Sequence, residues 1–524
     1  MATQTRISFN ESGPSGRRVS MVKAGLDLLL ILAISTVLEA AHFSWKQGRH
    51  VISADSVQYI DGAEVLIHAN KTPHFEFRKP GYSFILAATA LCLGNIGWGA
   101  VVINHFFQAL LPLAAYGMGR NLRSRLAGWL AALLIIARLQ FEHRGERIMS
   151  EACYTTVLAL AVLLVANSLS KPRAALSNLC GGALMGFAWL TRSIAVAVVA
   201  AALVCTLWTF RREPRRALGR CLVLVAPVLL AVLLECALNR RYAGQFRTGT
   251  GTFGPAMLLR ARFFDGLPFP ETPVADRCRA LLPERAEQDA FLVNKMDGWV
   301  ARYRAIHDQG MDEWQVDALM SRAAFEIIER NPEAYLRSWG SIFVRCLLRQ
   351  RDGPSLARVP ASRRTDILMH PGARDYEHSQ EAWYAYWALP HRSEEDSSAL
   401  AERMHTAAGQ RAPFGGSGMW AVLRYVSMTP LVMDVLSVLA AVASLWPGLA
   451  LIFHRLLGLN RRTCLFLTTA YVLDAAIVAA VAFSDGDIAR FQYVWLGTDT
   501  TLAAALLSSA AAALRQGRCA SAAS

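Results

Sequence analysis

Four stretches of this sequence place ionisable groups where chemistry at a membrane surface is feasible. The first is Asp55-Ser-Val-Gln-Tyr59, a few residues beyond an apolar segment. A carboxylate at a lipid–water boundary can stay ionised and accept a proton from a hydroxyl group. The run continues to His68 with apolar and polar residues alternating at helical spacing, as in a helix lying along a membrane. The second stretch, Phe77-Arg-Lys-Pro-Gly-Tyr-Ser83, has two cations, Arg78 and Lys79, followed by a proline suited to a helix start. The third is the charged loop from Glu142 to Glu151, and the fourth is Asp485-Gly-Asp487-Ile-Ala-Arg490. An acid, a surface helix and cations are the parts needed to hold a lipid phosphate and activate an acceptor beside it. A plainer reading of Asp55 is a helix cap in a polar loop.

The surrounding composition says what positions these groups. The chain has 524 residues, 54% hydrophobic and 18% charged. A soluble domain is about a quarter charged, and several windows here reach the roughly 18–20 apolar residues that span a bilayer. The formal net charge of +14 comes from arginines clustered between apolar segments. The positive-inside rule therefore accounts for the charge, and nucleic acid is not expected as a partner. Most cysteines lie inside apolar runs and no CxxC pair occurs, so zinc and thioredoxin chemistry are not signalled. No cofactor is signalled either, and divalent-metal dependence is left open.

The basic clusters fix an expected topology. Residues 1–23 read as a cytoplasmic tail. The run 24–41 is taken as a retained helix, since no small-residue cleavage site follows it. Arg120, Arg123 and Arg125 should be cytoplasmic, so 80–94, only about 15 residues, is expected to be re-entrant or to lie at the outer interface. Further spans are expected at 97–119, 126–139, 152–168, 178–190, 193–210 and 217–238. Three more follow at 431–452, 463–483 and 491–514, and 515–524 forms a second tail. The fold class expected is an all-α integral membrane protein with about ten spans and both termini in the cytoplasm. An N-terminal module covers 24–238, with a first external loop at 42–96 carrying interfacial helices, and a C-terminal block covers 426–514. Asp434 and Asp474 are the acids that this reading places mid-span.

Residues 239–425 are charged and proline-bearing, and read as a mainly α external domain of about 185 residues. Asp312 with Gln315 reads as a capping box opening a helix whose buried face carries Val316, Leu319, Ala323, Ile327 and Ile328. A second helix follows from Glu333 to about Leu348. Cys278 and Cys346 are the cysteine pair of this domain, either bridged or left as two buried thiols. Gly249-Thr-Gly251-Thr-Phe-Gly254 fits the GxGxxG pattern, but a membrane helix precedes it and Pro255 follows at once. The nucleotide fingerprint needs a strand before and a helix after, so this segment reads as a lip near the membrane.

Together with their order along the chain, Asp55-Ser-Val-Gln-Tyr59, the Arg-Lys-Pro-Gly-Tyr-Ser run, Met149-Ser-Glu151-Ala-Cys-Tyr154 and Gly182-Ala-Leu-Met-Gly186-Phe-Ala-Trp-Leu-Thr-Arg192 resemble the polytopic glycosyltransferases of the GT-C fold. The nearest resemblance is to relatives of the protein mannosyltransferases and of the lipid A aminoarabinose transferase. It covers 24–210 well and 487–495 faintly; residues 239–425 have no counterpart. The resemblance implies a sugar donor linked to polyprenyl phosphate, a lipid, glycan or protein acceptor, and transfer outside the cytoplasmic (inner) membrane. It implies Asp55 and Glu151 as the catalytic acids, and Tyr59, Arg78, Lys79, Arg192 and Arg490 as substrate-binding residues. Two departures stand out: Ser56 follows the first acid where many relatives have a second one, and Gln58 stands where some carry a cation. The alternatives are a glycan polymerase or ligase, and a transporter or flippase of lipid-linked sugars, which would show charged residues mid-helix.

Overall fold

The computed structural model describes residues 14–45, 54–68, 78–141, 148–170, 175–249, 252–282, 301–302, 304–348 and 458–481, with isolated positions at 454, 495, 501, 504–505, 508–509 and 512. Every regular element among them is helical. In chain order these are α1 (Pro14–Trp45), α2 (Ala54–His68), α3 (Pro80–Leu93), α4 (Ile96–Leu122), α5 (Arg125–Phe141), α6 (Glu151–Ser170), α7 (Ala175–Thr191), α8 (Val196–Thr209) and α9 (Pro214–Ala243). There follow α10 (Phe253–Leu258), which continues as one wider π turn (Leu259–Phe264), then α11 (Pro273–Arg279), α12 (Glu313–Arg330), α13 (Pro332–Leu348) and α14 (Arg461–Val481).

Among the described residues five helices are long and apolar enough to cross a membrane: Val22–Phe43, Ile96–Leu122, Glu151–Ser170, Pro214–Tyr242 and Arg461–Val481. Shorter apolar helices stand at Pro80–Leu93, Arg125–Ala137, Ala175–Thr191 and Ser193–Thr209. Long apolar helices of this kind make the chain a multi-pass membrane protein. Exposed leucines on α1 (Leu26, Leu29, Leu30) and on α9 (Leu218, Leu222, Leu229, Leu230, Leu233) fit contact with lipid tails. The expected spans at 431–452 and, apart from a few positions, 491–514 lie outside the described residues.

Small residues let the helices approach closely. A Cβ on Gly186 would lie 2.8 Å from the Pro227 carbonyl oxygen, and one on Gly119 would lie 2.7 Å from that of Ala127. In the absence of water to squeeze out, such backbone contact is what holds membrane helices together. Helix α3 starts on Pro80 and ends on Gly94 at φ 71°, after which Asn95 caps α4 by accepting from the Trp98 N–H. The chain therefore doubles back. Tyr82 donates to Asn104, while Thr89 abuts Gly99, so α3 stays beside the first half of α4.

A second, smaller apolar core forms from Met257, Leu258, Ala261, Cys278, Leu281, Val316, Met320, Ala323 and Ile327. Asp312 caps α12 in a reciprocal capping box with Gln315, as the spacing led one to expect. Helix α13, expected within the external domain, lies against a helix long and apolar enough to cross a membrane. It runs antiparallel along the apolar helix α14: the Tyr335 hydroxyl donates to the Ala480 carbonyl, the Trp339 indole to that of Ala476, and the Tyr471 hydroxyl to that of Cys346. Ile342 and Cys346 belong to the main helical core, not to the smaller one. Its apolar stripe repeats at three- and four-residue spacing, and that pattern serves a span as readily as a soluble core. Cys278 and Cys346 consequently lie in different cores, both as free thiols. Burial pushes the Cys278 thiol up to about 12.

Candidate active site

Helix α2 carries Asp55 as its second residue, in the first turn, where helix dipoles favour a negative charge. Two turns along the helix, everything is buried: Tyr59 is 4% exposed, Ile60 2% and Asp61 1%. The Tyr59 hydroxyl lies 2.9 Å from Ser150 Oγ, in a hydrogen bond that joins positions 91 residues apart. Ser83 on α3 donates to the Tyr59 carbonyl at 2.9 Å, and the Tyr59 and Tyr82 rings meet edge-on at 5.1 Å. Helix α2 is thus clasped onto the head of α6 and onto α3.

Glu151 is the first residue of α6 and is 1% exposed. Arg192, which follows α7 in extended backbone, donates to Glu151 Oε1 at 2.9 Å, and its guanidinium also lies 5.9 Å from the centre of the Tyr154 ring. The second catalytic candidate and one of the binding candidates therefore form one ion pair, one residue from the Tyr59–Ser150 clasp. Arg78 is half-buried, donates to Gln58 at 2.6 Å and lies 5.7 Å from the Tyr59 ring centre. Gln58, standing where a cation occurs in some relatives, thus orients a cation supplied from position 78.

Lys79 is placed differently from its neighbour. It is 6% exposed, and its Nζ lies 2.6 Å from Glu235 Oε1 on α9 and 4.6 Å from the Trp189 ring centre. Trp189 donates to the other Glu235 oxygen at 2.8 Å, and the Gly249 N–H donates to Oε1 at 3.0 Å. This cluster straps α3, α7, α9 and the glycine-rich lip together. The lip glycines have structural work: Gly249 adopts φ 107°, and the Gly254 N–H donates to Asp317 Oδ1 at 2.7 Å in close approach to α12. Burial raises the Asp317 carboxyl, against the opposing pull of that N–H.

Sequence reading missed three buried acids inside apolar helices, where Asp434 and Asp474 were the expected ones. Asp27 on α1 makes a two-pronged pair with Arg125 at 2.6 and 2.7 Å and accepts from the Tyr116 hydroxyl at 2.5 Å. Glu39 on α1 lies 2.6 Å from His105 Nδ1, and Glu235 holds Lys79. A hydropathy window of about 20 residues averages a lone acid away. Asp474 is where it was expected, mid-helix in α14 and 1% exposed. Asp434, Arg490, Asp485, Asp487, Glu142 and Glu146 lie outside the described residues, as does the stretch 350–415. Among the described residues no group of three His, Cys, Asp or Glu side chains could hold a metal ion.

No protein-family model matches the chain, and no curated protein sequence matches it. Among solved structures, ArnT from Cupriavidus metallidurans bound to undecaprenyl phosphate is similar over 92% of this chain and 77% of its own, at 12% identity and a TM-score of 0.32. The archaeal oligosaccharyltransferase AglB from Archaeoglobus fulgidus, in complex with an inhibitory peptide and a dolichol-phosphate, is similar over 95% of this chain and 52% of its own, at 11% identity and a TM-score of 0.40. This chain spans about half the length of that protein.

Proposed function

We propose that the chain is a membrane glycosyltransferase that moves a hexosyl or pentosyl group from a polyprenyl-phosphate carrier to a cell-envelope acceptor on the outer side of the cytoplasmic membrane. The observation that carries this reading is the Tyr59–Ser150 hydrogen bond. It brings the helix bearing Asp55 onto the residue beside Glu151, which supports reading the two acids, far apart in sequence, as one constellation with Arg78 and Arg192. In this reading both termini are cytoplasmic, the spans number about ten, and the constellation faces outward.

The chemistry follows from the parts. A carboxylate, Asp55, takes the proton of the acceptor hydroxyl, whose oxygen attacks the anomeric carbon. The bond from that carbon to the phosphate oxygen breaks, and the phosphate leaves with the bonding pair. Arg78 and Arg192 supply fixed positive charge towards the departing phosphate, and Arg490 would add to it. Glu151 keeps Arg192 in place and lines the acceptor side. Lys79, already engaged by Glu235, holds α3 so that Arg78 points correctly. The transporter reading wants acids lining a path through the spans. Three of the buried acids are instead paired with a cationic or imidazole partner: Asp27 with Arg125, Glu39 with His105 and Glu235 with Lys79.

The test is to purify the protein into lipid nanodiscs and supply undecaprenyl-phosphate-linked sugars together with cell-envelope extract. Release of undecaprenyl phosphate with sugar appearing on an extracted acceptor supports the reading. Carrier-linked sugar that merely changes leaflet, with its phosphodiester intact, would replace it with transport.

A further inference from the structure

Helix α6 runs from Glu151 to Ser170, so its far end lies about 30 Å from the Glu151 end. There two guanidiniums meet consecutive carbonyls: Arg220 of α9 donates to that of Ser168 at 2.6 Å, and Arg462 of α14 to that of Leu169 at 3.0 Å. Arg220 and Arg216 also lie 4.2 and 4.9 Å from the centre of the buried Phe210 ring, and Arg211 lies 4.6 Å from that of Trp208. The run 211–220 holds five arginines against one acid, Glu213, which pairs with Arg216 at 2.6 Å. Helices α9 and α14 both start on this face, so their positive dipole ends add to the field. The positive-inside rule accounts for arginines standing in water. It does not explain why guanidiniums gather on one helix end, where like charges repel and an anion between them is favoured.

The adjoining surface is apolar and open. Leu207, Trp208, Leu218 and Leu222 are each more than half exposed, and α8 packs on α9. On α9, Arg215, Leu218 and Leu222 share one exposed face at helical spacing. Between them, a Cβ on Gly219 would meet nothing within 4 Å. The stripe passes from charge to a notch to leucines, with Trp208 placed as aromatic side chains are at the headgroup level.

We propose that this face is a docking site for an anionic glycerophospholipid. Its phosphate lies against Arg211 and Arg215, with the Arg220–Arg462 pair behind, and its acyl chains lie along Leu218 and Leu222. A soluble phosphate would use the arginines without the leucines, and a neutral lipid the leucines without the arginines. The site is separate from the sugar-transfer reading, because it sits at the opposite end of α6.

The test presents the full-length protein in detergent micelles with equimolar phosphatidylglycerol and phosphatidylcholine, and reads bound lipid by native mass spectrometry. The wild type retains phosphatidylglycerol preferentially. Arg211→Gln with Arg215→Gln weakens that retention by roughly 25-fold, about fivefold per arginine near an anionic surface, and leaves phosphatidylcholine unchanged. Arg322→Gln with Arg337→Gln removes the same charge from α12 and α13 and changes neither lipid. Gly219→Leu fills the notch without altering charge and weakens phosphatidylglycerol as well. All the substituted positions are exposed, so folding does not depend on them. Equal retention of both lipids by the wild type overturns the proposal. So does an equal loss in the Arg322 and Arg337 variant, which would reduce the effect to net charge. Undiminished phosphatidylglycerol in Gly219→Leu also overturns it, since a field without a groove would not notice the added side chain.

Discussion

Lys79 Nζ lies 2.6 Å from Glu235 Oε1, across 156 residues of sequence, with side-chain exposures of 7% and 1%. Two adjacent cations, Arg78 and Lys79, thereby acquire different roles. One is half-buried beside the Tyr59 ring, and the other is committed to a buried pair. Lys79→Ala strands Glu235 in the interior and should cost about 3–5 kcal/mol of stability, as breaking buried pairs does. Lys79→Ala with Glu235→Gln should recover most of that loss in a thermal unfolding measurement. A Lys79→Ala protein as stable as wild type, with impaired use of the lipid donor, would return Lys79 to the phosphate cradle.

Asp55→Asn preserves size and hydrogen bonding while removing the base. Transfer should fall by roughly 10²–10⁴-fold, the usual contribution of a general base, with membrane insertion unchanged. If Asp55 serves only the first turn of α2, Asn replaces it with little loss of transfer, because the lost interaction with the helix dipole is only about 0.3–1 kcal/mol. Glu151→Gln should lower transfer as well, and should also raise the KM for donor, since Arg192 keeps an acceptor but loses the negative charge of its 2.9 Å partner.

Helix α13 can be located with a single engineered cysteine. Val344 is 47% exposed on the protein surface, and Arg322 on α12 has a 74% exposed side chain. If α13 accompanies α14 in the membrane, Val344 faces lipid. A membrane-impermeant maleimide should then modify Arg322→Cys and leave Val344→Cys untouched. Prompt labelling at 344 would place α13 back in an aqueous domain.

Asp317 offers a pH test outside the spans. Its folded carboxyl is raised by burial, so its contribution favours folding below the unfolded value of about 3.9 and is lost as pH rises through the folded one. Asp317→Asn keeps an acceptor for the Gly254 N–H and removes this penalty. The variant should melt higher than wild type at neutral pH, with the gap closing as pH falls toward about 4. A gap that widens on acidification would show that the neighbouring Arg302 and Arg247 dominate.

What the sequence determined by itself is what depends on neighbours a few residues away. Long apolar runs must be helical in lipid, because every backbone N–H and C=O has to be satisfied within its own segment. Hence 24–41, 97–119, 152–168, 217–238 and 463–481 all lie within helices. The Asp312–Gln315 box, the Pro80 start and the Gly94 stop are equally local. The proposed grouping of Asp55, Arg78, Glu151 and Arg192 was suggested only by the order of motifs, since composition cannot say which loops meet. Tertiary structure decided the partners. Asp27 finds Arg125 at a separation of 98 residues, Glu39 finds His105 at 66 and Lys79 finds Glu235 at 156. It also decided that α13 accompanies α14, and that Cys278 and Cys346 lie in separate cores. A helical stripe records that one face is apolar but not what covers it, and a charge inside an apolar run records a cost without naming the group that offsets it.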